Sequence, residues 1–453
     1  MARWKQPVFS MENGFSIKQE TIALPSILNS RRLHKALLEG VRQWTSARGE
    51  VVFSCQSPDR QGEMQRLSAL FTLLGQPLSP GELVALCEKL DRQLSKSHGL
   101  PGEKLVVRYE PAKPPEKGFA CQIAIAQAPQ QPMTRGSWVL PCVPALEGDY
   151  ADKIDRLFAI LGQPLSPTEL KRLQAGLAVE LDKGFRASPY SRLVFRYQSV
   201  PGKGFACHVK AMVQTLEERC QYLVETHSEP LFGRYPDAKV MAVAATLPDA
   251  ATSPILDIGA GTGRNTLPLA RLGYPVDAVE LAPAFATELQ AALEGEGLSG
   301  RVIRGDVLDD RVSLRSDRYR CVILAEVVPH FHSDWQLRSL MEKMSEAMVS
   351  GGLLLFSTFL AVDGYEPDAL ALQLSRVTDA FVFTRSQLAL ALKNLPLQLI
   401  SDESVVEYEQ AHLPTSAWPP TEWFCHWASG RRLFALTREQ PPVELRWILC
   451  RRL

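Results

Sequence analysis

The sequence predicts an α/β chain in two parts: an α+β unit made of two β-α-α-β-β repeats, then a doubly wound sheet of seven strands. Three observations carry this. Four short islands recur in one order, displaced by 86 to 88 residues. From residue 254 onward, apolar strand-like runs alternate with amphipathic helical segments. The first of those runs, Pro254-Ile255-Leu256, passes through Asp257 into a turn with glycines at 259, 261 and 263.

The duplicated unit follows an extension of residues 1–48. Leu73-Leu74-Gly75-Gln76-Pro77-Leu78-Ser79-Pro80 returns at residues 160–167, and Val106-Val107-Arg108-Tyr109 returns as Val194-Phe195-Arg196-Tyr197. Gly118-Phe119-Ala120-Cys121 returns at 204–207, and 49–55 matches 136–142. The copies are therefore 49–127 and 136–213. In the first, Glu50 to Phe53 is a short strand and Arg66 to Leu74 a helix. Ser79 caps a second helix, with Pro80 at its first position and Glu82 near its third. Strands at 105–109 and 119–126 close the unit. Two copies are too few for a solenoid, so they form one domain with pseudo-symmetric halves. Arg108 and Arg196 read as the solvent side of alternating strands; a paired anion or partner site with Tyr109 and Tyr197 is the alternative. Lys-Gly-Phe-Ala-Cys reads as a hairpin turn feeding a core strand. Residues 1–213 resemble no family.

Residues 214–253 connect the parts. Thr215 to Glu225 is helical, 227–236 is a turn-rich linker or a flap over a ligand, and Asp237 to Leu247 is a second helix. Strands are then expected at 275–281, 301–304, 319–324, 353–356, 397–408 and 443–450. Helices are expected from Leu267, from Ser333 to Met348 and from Thr384 to Lys393.

Composition excludes several classes. Fifty basic residues balance 50 acidic ones, so nothing argues for general affinity to nucleic acid or anionic membrane. No apolar run approaches the ~18 residues of a membrane span, and the first residues lack the apolar core of a signal peptide. A cytoplasmic protein is expected. Nine cysteines without a CxxC pair argue against zinc and against a disulfide framework; they read as buried small hydrophobes.

The glycine turn suits a ligand that must approach bare backbone. Asp257 before it would repel a pyrophosphate but suits a cationic or hydroxyl-bearing ligand. Glu280 ends the second strand, where an acid can accept both hydroxyls of a ribose. Gly305-Asp306 puts a third acid at the end of the next strand. A dinucleotide-binding unit would place glycine at 266, where threonine stands.

Acids at three successive strand ends around such a loop resemble the class I S-adenosylmethionine-dependent methyltransferases, a Rossmann-like fold. The resemblance implies that Asp257, Gly259, Ala260, Gly261, Gly263 and Asn265 line the methionine part of S-adenosyl-L-methionine. It further implies that Glu280, with Leu281, holds the ribose, and that Asp306, with Val307, meets the adenine. Within that superfamily, Leu256 to Thr266 and Gly273-Tyr274-Pro275-Val276-Asp277-Ala278 are similar to the tellurite-resistance methyltransferase group. The cofactor domain is then 254–453, with no metal.

The fourth strand leads into Ala325-Glu326-Val327-Val328-Pro329-His330, at the expected mouth of the substrate pocket. His330 is the candidate general base, because imidazole titrates near neutrality. Glu326 is a candidate for the methionine amino group. Trp418, Trp423, Phe424, His426 and Trp427 cluster before the last strand, as an aromatic lid or as a packing plug on the front domain. The function expected is methyl transfer to a small-molecule acceptor, with thiols and chalcogens in view. The alternative is a cofactor-binding regulatory or scaffold protein whose duplicated domain binds a partner.

Overall fold

The computed structural model describes residues 30–42, 44–54, 60–75, 77–95, 104–111, 119–126, 133–202, 204–226 and 231–453. Helix α1 (Ser30–Arg42) buries Leu33, Ala36, Leu37, Gly40 and Val41 on one face. The expected extension thus contains a helix, and tertiary contact holds it: the Ala36 carbonyl accepts from Ala435 N at 3.1 Å.

The first repeat supplies β1 (Ser46–Ser54), α2 (Arg60–Leu73), α3 (Pro80–Leu94), β2 (Lys104–Pro111) and β3 (Phe119–Ala126). The second supplies β4 (Arg135–Pro141), α4 (Glu147–Ile160), α5 (Pro167–Ala187), β5 (Arg192–Val200) and β6 (Gly204–Met212). Ser79 and Ser166 each close a reciprocal capping box, with Glu82 and with Glu169. All six strands form one antiparallel sheet ordered β3-β2-β1-β4-β5-β6, a mirror sequence about the β1–β4 pair. At that seam Gly49 lies opposite Gly136. A Cβ at Gly49 would stand 2.7 Å from the Tyr109 hydroxyl, and one at Gly136 would stand 2.5 Å from that of Tyr197. The two hydroxyls meet at 2.9 Å. Glycine at both positions makes room for this central pair.

Two expectations fail here. β6 is a largely exposed edge strand, so Lys-Gly-Phe-Ala-Cys does not feed a core strand. Cys207 is accordingly exposed, whereas Cys142, Cys220, Cys321 and Cys450 are buried. Residues 112–118, which hold the first copy of that turn, lie outside the described residues.

Helices α6 (Leu216–Thr226) and α7 (Ala238–Ala244) lead into the second sheet. Residues 227–230 of the turn-rich run lie outside the described residues. Next come β7 (Ile255–Ile258), α8 (Thr266–Arg271), β8 (Val276–Glu280), α9 (Pro283–Gly295), β9 (Gly300–Arg304), β10 (Tyr319–Leu324) and α10 (Asp334–Ala347). They are followed by β11 (Met348–Ala361), α11 (Ala369–Val377), β12 (Val382–Phe383), α12 (Arg385–Leu392), β13 (Leu397–Ser404), α13 (Val405–His412), α14 (Phe424–Ala428) and β14 (Val443–Arg452). The sheet order is β13-β14-β11-β10-β7-β8-β9, with β14 antiparallel to both neighbours.

Alternation along the central strands sends side chains to two faces. Ile255, Cys321, Ile323 and Leu355 join one buried cluster; Leu256, Ile258, Val322, Leu324, Leu354 and Phe356 join another. The first cluster runs on into the front unit, so the two parts share a core.

The sheet has eight strands where seven are expected, because the two-residue β12 pairs with Phe359 and Leu360 of β11. β11 itself begins at Met348, so Gly351 and Gly352 sit inside it, at a register shift against β10. β13 ends at Ser404, whose hydroxyl caps α13 through Glu407 N; Tyr408 is therefore helical. The helix expected from Leu267 ends at Arg271, leaving Leu272 exposed. Among the described residues, no helix is long and apolar enough to cross a membrane, and no side-chain cluster is placed to hold a metal.

The second half of the aromatic run packs inward on β11 and on the turn before β12, within its own part of the chain. Phe424 and Trp427 are buried, and Trp427 packs edge-on against Phe359 at 5.2 Å. Its indole donates to the Asp379 carbonyl at 2.8 Å. Trp423 is 42% exposed. Trp427→Ala should therefore cost ~3–5 kcal/mol of stability, while Trp423→Ala should cost roughly 1 kcal/mol. Guanidinium denaturation of both variants checks the contrast; equal losses would refute it.

Candidate functional site

Parallel pairing brings the carboxyl ends of β7, β8 and β9 side by side, with Asp257 opposite Ala278 and Glu280 opposite Arg304. Asp257 is buried and accepts from the Thr266 hydroxyl at 2.6 Å. Burial pushes its carboxyl up to about 7, against that hydrogen bond. The chain then passes Gly259, Gly261 and Gly263 at φ values of 68°, 56° and 98°, the left-handed region that side chains avoid.

This loop is tied to β8. Gly259 N and Ala260 N donate to the Val279 carbonyl at 2.8 and 3.2 Å. Gly261 N donates to Glu280 Oε2, and Ala282 N to Oε1, both at 2.7 Å. Burial raises the Glu280 carboxyl, and these backbone bonds oppose the rise. Leu281 N bears on the same carboxylate, which still keeps acceptor capacity for a hydroxyl. Asp306 lies at the outer end of the row, exposed, its Oδ1 accepting from Leu308 N at 2.8 Å. Val307 beside it is buried, and Leu281 is 47% exposed.

Behind the loop sits an ion network. Arg264 donates to Asp237 Oδ1 at 2.8 Å and to Glu326 Oε1 at 2.7 Å. Burial works against its charge, but the two carboxylates outweigh it and raise its pKa. Asn265 completes the lock: its Oδ1 accepts from Asp237 N and its Nδ2 donates to Asp237 Oδ2. Glu326 holds a left-handed backbone (φ 61°), and burial raises its carboxyl against Arg264. Asn265 and Glu326 are thus structural partners first, although Glu326 keeps a second oxygen.

His330 follows β10 with its side chain 44% exposed. Its Nδ1 lies 3.3 Å from Asp379 Oδ1 and 3.4 Å from the Tyr190 hydroxyl. His330 stands four residues beyond Glu326, past the same carboxyl end of β10. Helix α6 covers that region: Cys220 packs with Ala282 and Phe285, and Phe232 crosses Phe285 at 5.4 Å. A Cβ on Gly261 would stand 3.2 Å from the Phe232 ring.

The sequence reading missed Asp237, Arg264, Tyr190, Arg219, Asp379 and Arg432, whereas Phe232 belongs to the run 227–236 read as a linker or a flap. Arg264 had a signal, a charge wedged between the last loop glycine and an apolar helix start. Tyr190 and Asp379 had none, since they meet across 189 residues of chain.

Residues 255–352 match the family described as a methyltransferase domain. That family uses S-adenosylmethionine. Over 116 residues the chain is 30% identical to an uncharacterized methyltransferase, YodH, of Bacillus subtilis (strain 168), covering 26% of this chain and 46% of that protein. The chain thus spans about half the length of this curated relative. Among solved structures it is similar to geranyl diphosphate C-methyltransferase from Streptomyces coelicolor A3(2), at 14% identity and TM-score 0.37, over 48% of this chain and 78% of that one. The [4+2]-cyclase SpnF is similar at 14% identity and TM-score 0.36, over 52% and 91%.

The residues of this domain fit S-adenosylmethionine. The loop presents left-handed backbone rather than side chains, and acids rather than bases stand at the three strand ends, as an ammonium group and ribose hydroxyls require. Glu280→Ala should weaken S-adenosylmethionine binding roughly tenfold to over a hundredfold, since charge-assisted hydrogen bonds net ~1.5–3 kcal/mol. Calorimetry with unchanged affinity would overturn the ribose role.

Asp257 makes a separate pH prediction. Its raised pKa means that the fold favours the neutral acid, a contribution fully present below about pH 4 and lost as pH rises through about 7. Asp257→Asn, neutral throughout, should gain stability on the parent protein across that window by up to about 1.4 kcal/mol per pH unit. Melting curves from pH 4.5 to 7.5 (roughly that window) read this directly, and a constant difference between the two proteins would refute it.

Proposed function

We propose that the protein is an S-adenosylmethionine-dependent methyltransferase acting on a small-molecule acceptor, thiol-like or chalcogen acceptors included. The observation that carries this reading is the row of Asp257, Glu280 and Asp306 along a left-handed glycine loop, inside the segment that matches a methyltransferase domain. Asp306 would take the adenine amino group, with Val307 and Leu281 flanking the ring. The second oxygen of Glu326 would take the methionine ammonium. S-adenosylmethionine bound there supplies an activated methyl, which passes to the acceptor as the carbon–sulfur bond breaks and its electron pair stays on sulfur.

His330 is the proposed base. Asp379 on Nδ1 favours the tautomer with the proton there, leaving Nε2 to take a proton from an acceptor. A thiol-like acceptor needs positioning and exclusion of water more than this proton transfer. We assign 49–213 to the duplicated domain, 214–253 to the connection and 254–453 to the cofactor domain.

The regulatory or scaffold alternative is favoured by one feature. The open face of the front sheet holds a cavity of about 680 Å³ lined by Arg48, Arg108, Arg135 and Arg196, with Glu50 and Glu110 among them. Such a face suits an acidic partner.

The test is mass spectrometry of cell extract incubated with the full-length protein and methyl-labelled S-adenosylmethionine. A labelled product should appear together with S-adenosylhomocysteine, and both should fall with Glu280→Ala. Cofactor binding without S-adenosylhomocysteine in any extract would favour the alternative.

A further inference from the structure

Two guanidinium groups converge on one carboxylate where the front unit meets the second sheet, and a third adds its field. Asp379 holds a left-handed conformation (φ 55°) between α11 and β12. Its Oδ1 accepts from the Tyr190 hydroxyl at 3.0 Å, and its backbone carbonyl is pinned by Trp427. Arg219, from α6, and Arg432 stand 3.5 and 3.9 Å from Oδ2. Arg192, at the start of β5, joins them electrostatically while one of its nitrogens donates to the carbonyls of Pro189 and Ser191.

Those two ion-pair distances are long. Buried guanidiniums elsewhere in the protein bond directly, Arg264 at 2.7 and 2.8 Å and Arg446 at 2.6 Å. Aromatic rings support the guanidinium planes instead: Arg219 lies 4.5 Å over Tyr190, and Arg432 lies 4.1 Å over Trp44. Their side chains are 27% and 20% exposed. Among the described residues, neither guanidinium donates a hydrogen bond to a protein acceptor. Arg219 and Arg432 against one carboxylate leave a surplus positive charge in a half-buried site, to which Arg192 adds electrostatically, and such a surplus is costly unless an anion meets it. Burial and the neighbouring arginines press Arg432 down to about 10, as uncompensated crowding should. Asp379 is held well below the usual carboxylate range: burial opposes ionisation, but His330, Arg219 and Arg432 outweigh it.

The cluster adjoins the cofactor side. His330 touches Asp379 and stands four residues beyond Glu326 in the chain. Cys220, one residue from Arg219, packs with Ala282, two residues beyond Glu280. We propose that Arg219 and Arg432, with Tyr190 and His330 beside them, form an anion subsite that binds a carboxylate or phosphate group on the methyl acceptor. The subsite is built from both parts of the chain. Tyr190 and Arg192 come from the duplicated unit, Arg219 from the connection, and Asp379, His330 and Arg432 from the second half. The word acceptor rests on the methyltransferase reading; the anion site does not.

Thermal melting of the full-length protein, titrated separately with inorganic phosphate and with acetate while chloride holds ionic strength constant, tests the site without turnover. At least one anion should raise the melting temperature saturably, and which one does so distinguishes phosphate from carboxylate. Arg219→Gln and Arg432→Gln should each weaken the apparent affinity by about tenfold or more, whereas Arg108→Gln on the open face of the front sheet should not. If Arg432→Gln does not fold, Arg219→Gln and Arg219→Lys decide, with lysine recovering part of the affinity. No stabilisation by either anion, or undiminished affinity in Arg219→Gln, overturns the subsite. The labelled product of the extract experiment should also bind an anion-exchange resin. A neutral or cationic product overturns the acceptor class while methyl transfer stands. Absence of S-adenosylhomocysteine overturns the methyltransferase reading, while the anion titration still decides the site.

Discussion

Arg264 is buried behind the glycine loop, and its charge has to be met there. Asp237 and Glu326 meet it, one from the segment before α7 and one from the turn after β10. That single guanidinium therefore fixes the distance between the loop, the entry to the domain and the mouth beside His330. Breaking such a pair from one side leaves an uncompensated buried charge, at about 3–5 kcal/mol. Glu409 repeats the logic. It is fully buried and accepts from Ala238 N, Lys239 N and the Trp447 indole, tying the start of α7 to β14. Buried acids at a helix start are stabilised by its free N–H groups, so α7 becomes a rigid base for the loop.

The front unit solves a different problem. A three-stranded repeat with two helices leaves a strand edge open, and edges invite unwanted pairing. Duplication closes the inner edge by joining β1 to β4, leaving β3 and β6 outermost. The seam needs close approach of Tyr109 and Tyr197, and paired glycines permit it. The apolar core then continues from this sheet into one face of the second sheet, with α1 wedged against the segment around Leu433 and Phe434. Two units sharing a core hold fixed positions, and only fixed positions can assemble a site from Tyr190, Arg219 and Asp379.

Local patterns made much of this legible. The capping boxes at Ser79 and Ser166 could be read because a cap is a contact between residues three apart. The central strands could be read because parallel strands buried on both faces are continuously apolar, as in Cys321-Val322-Ile323-Leu324. The edges were less legible. β6 repeats the sequence of β3, and both are outer strands of the sheet; the repeat reads as a core strand only from its apolar residues, whereas Cys207 is exposed. The stretch 397–408 reads as one strand, yet the Ser404 hydroxyl capping Glu407 N turns its end into a helix. Trp423 and Trp427 look alike in sequence; only the indole bond to Asp379 and the contact with Phe359 make the second a core residue.

By itself the sequence determined the duplication, the alternation of strand and helix, the left-handed loop at Gly259 to Gly263 and the acids at the ends of β7, β8 and β9. Each of these depends on residues close together in the chain or on a repeat visible by inspection. Tertiary structure alone decided that Arg264 is shared between Asp237 and Glu326, and that His330 faces Asp379 and Tyr190. It also decided that Arg219 and Arg432, from distant segments, face one carboxylate. The reason is physical: a buried charge takes whichever partner the packing brings within reach, and packing joins residues without regard to their separation in sequence.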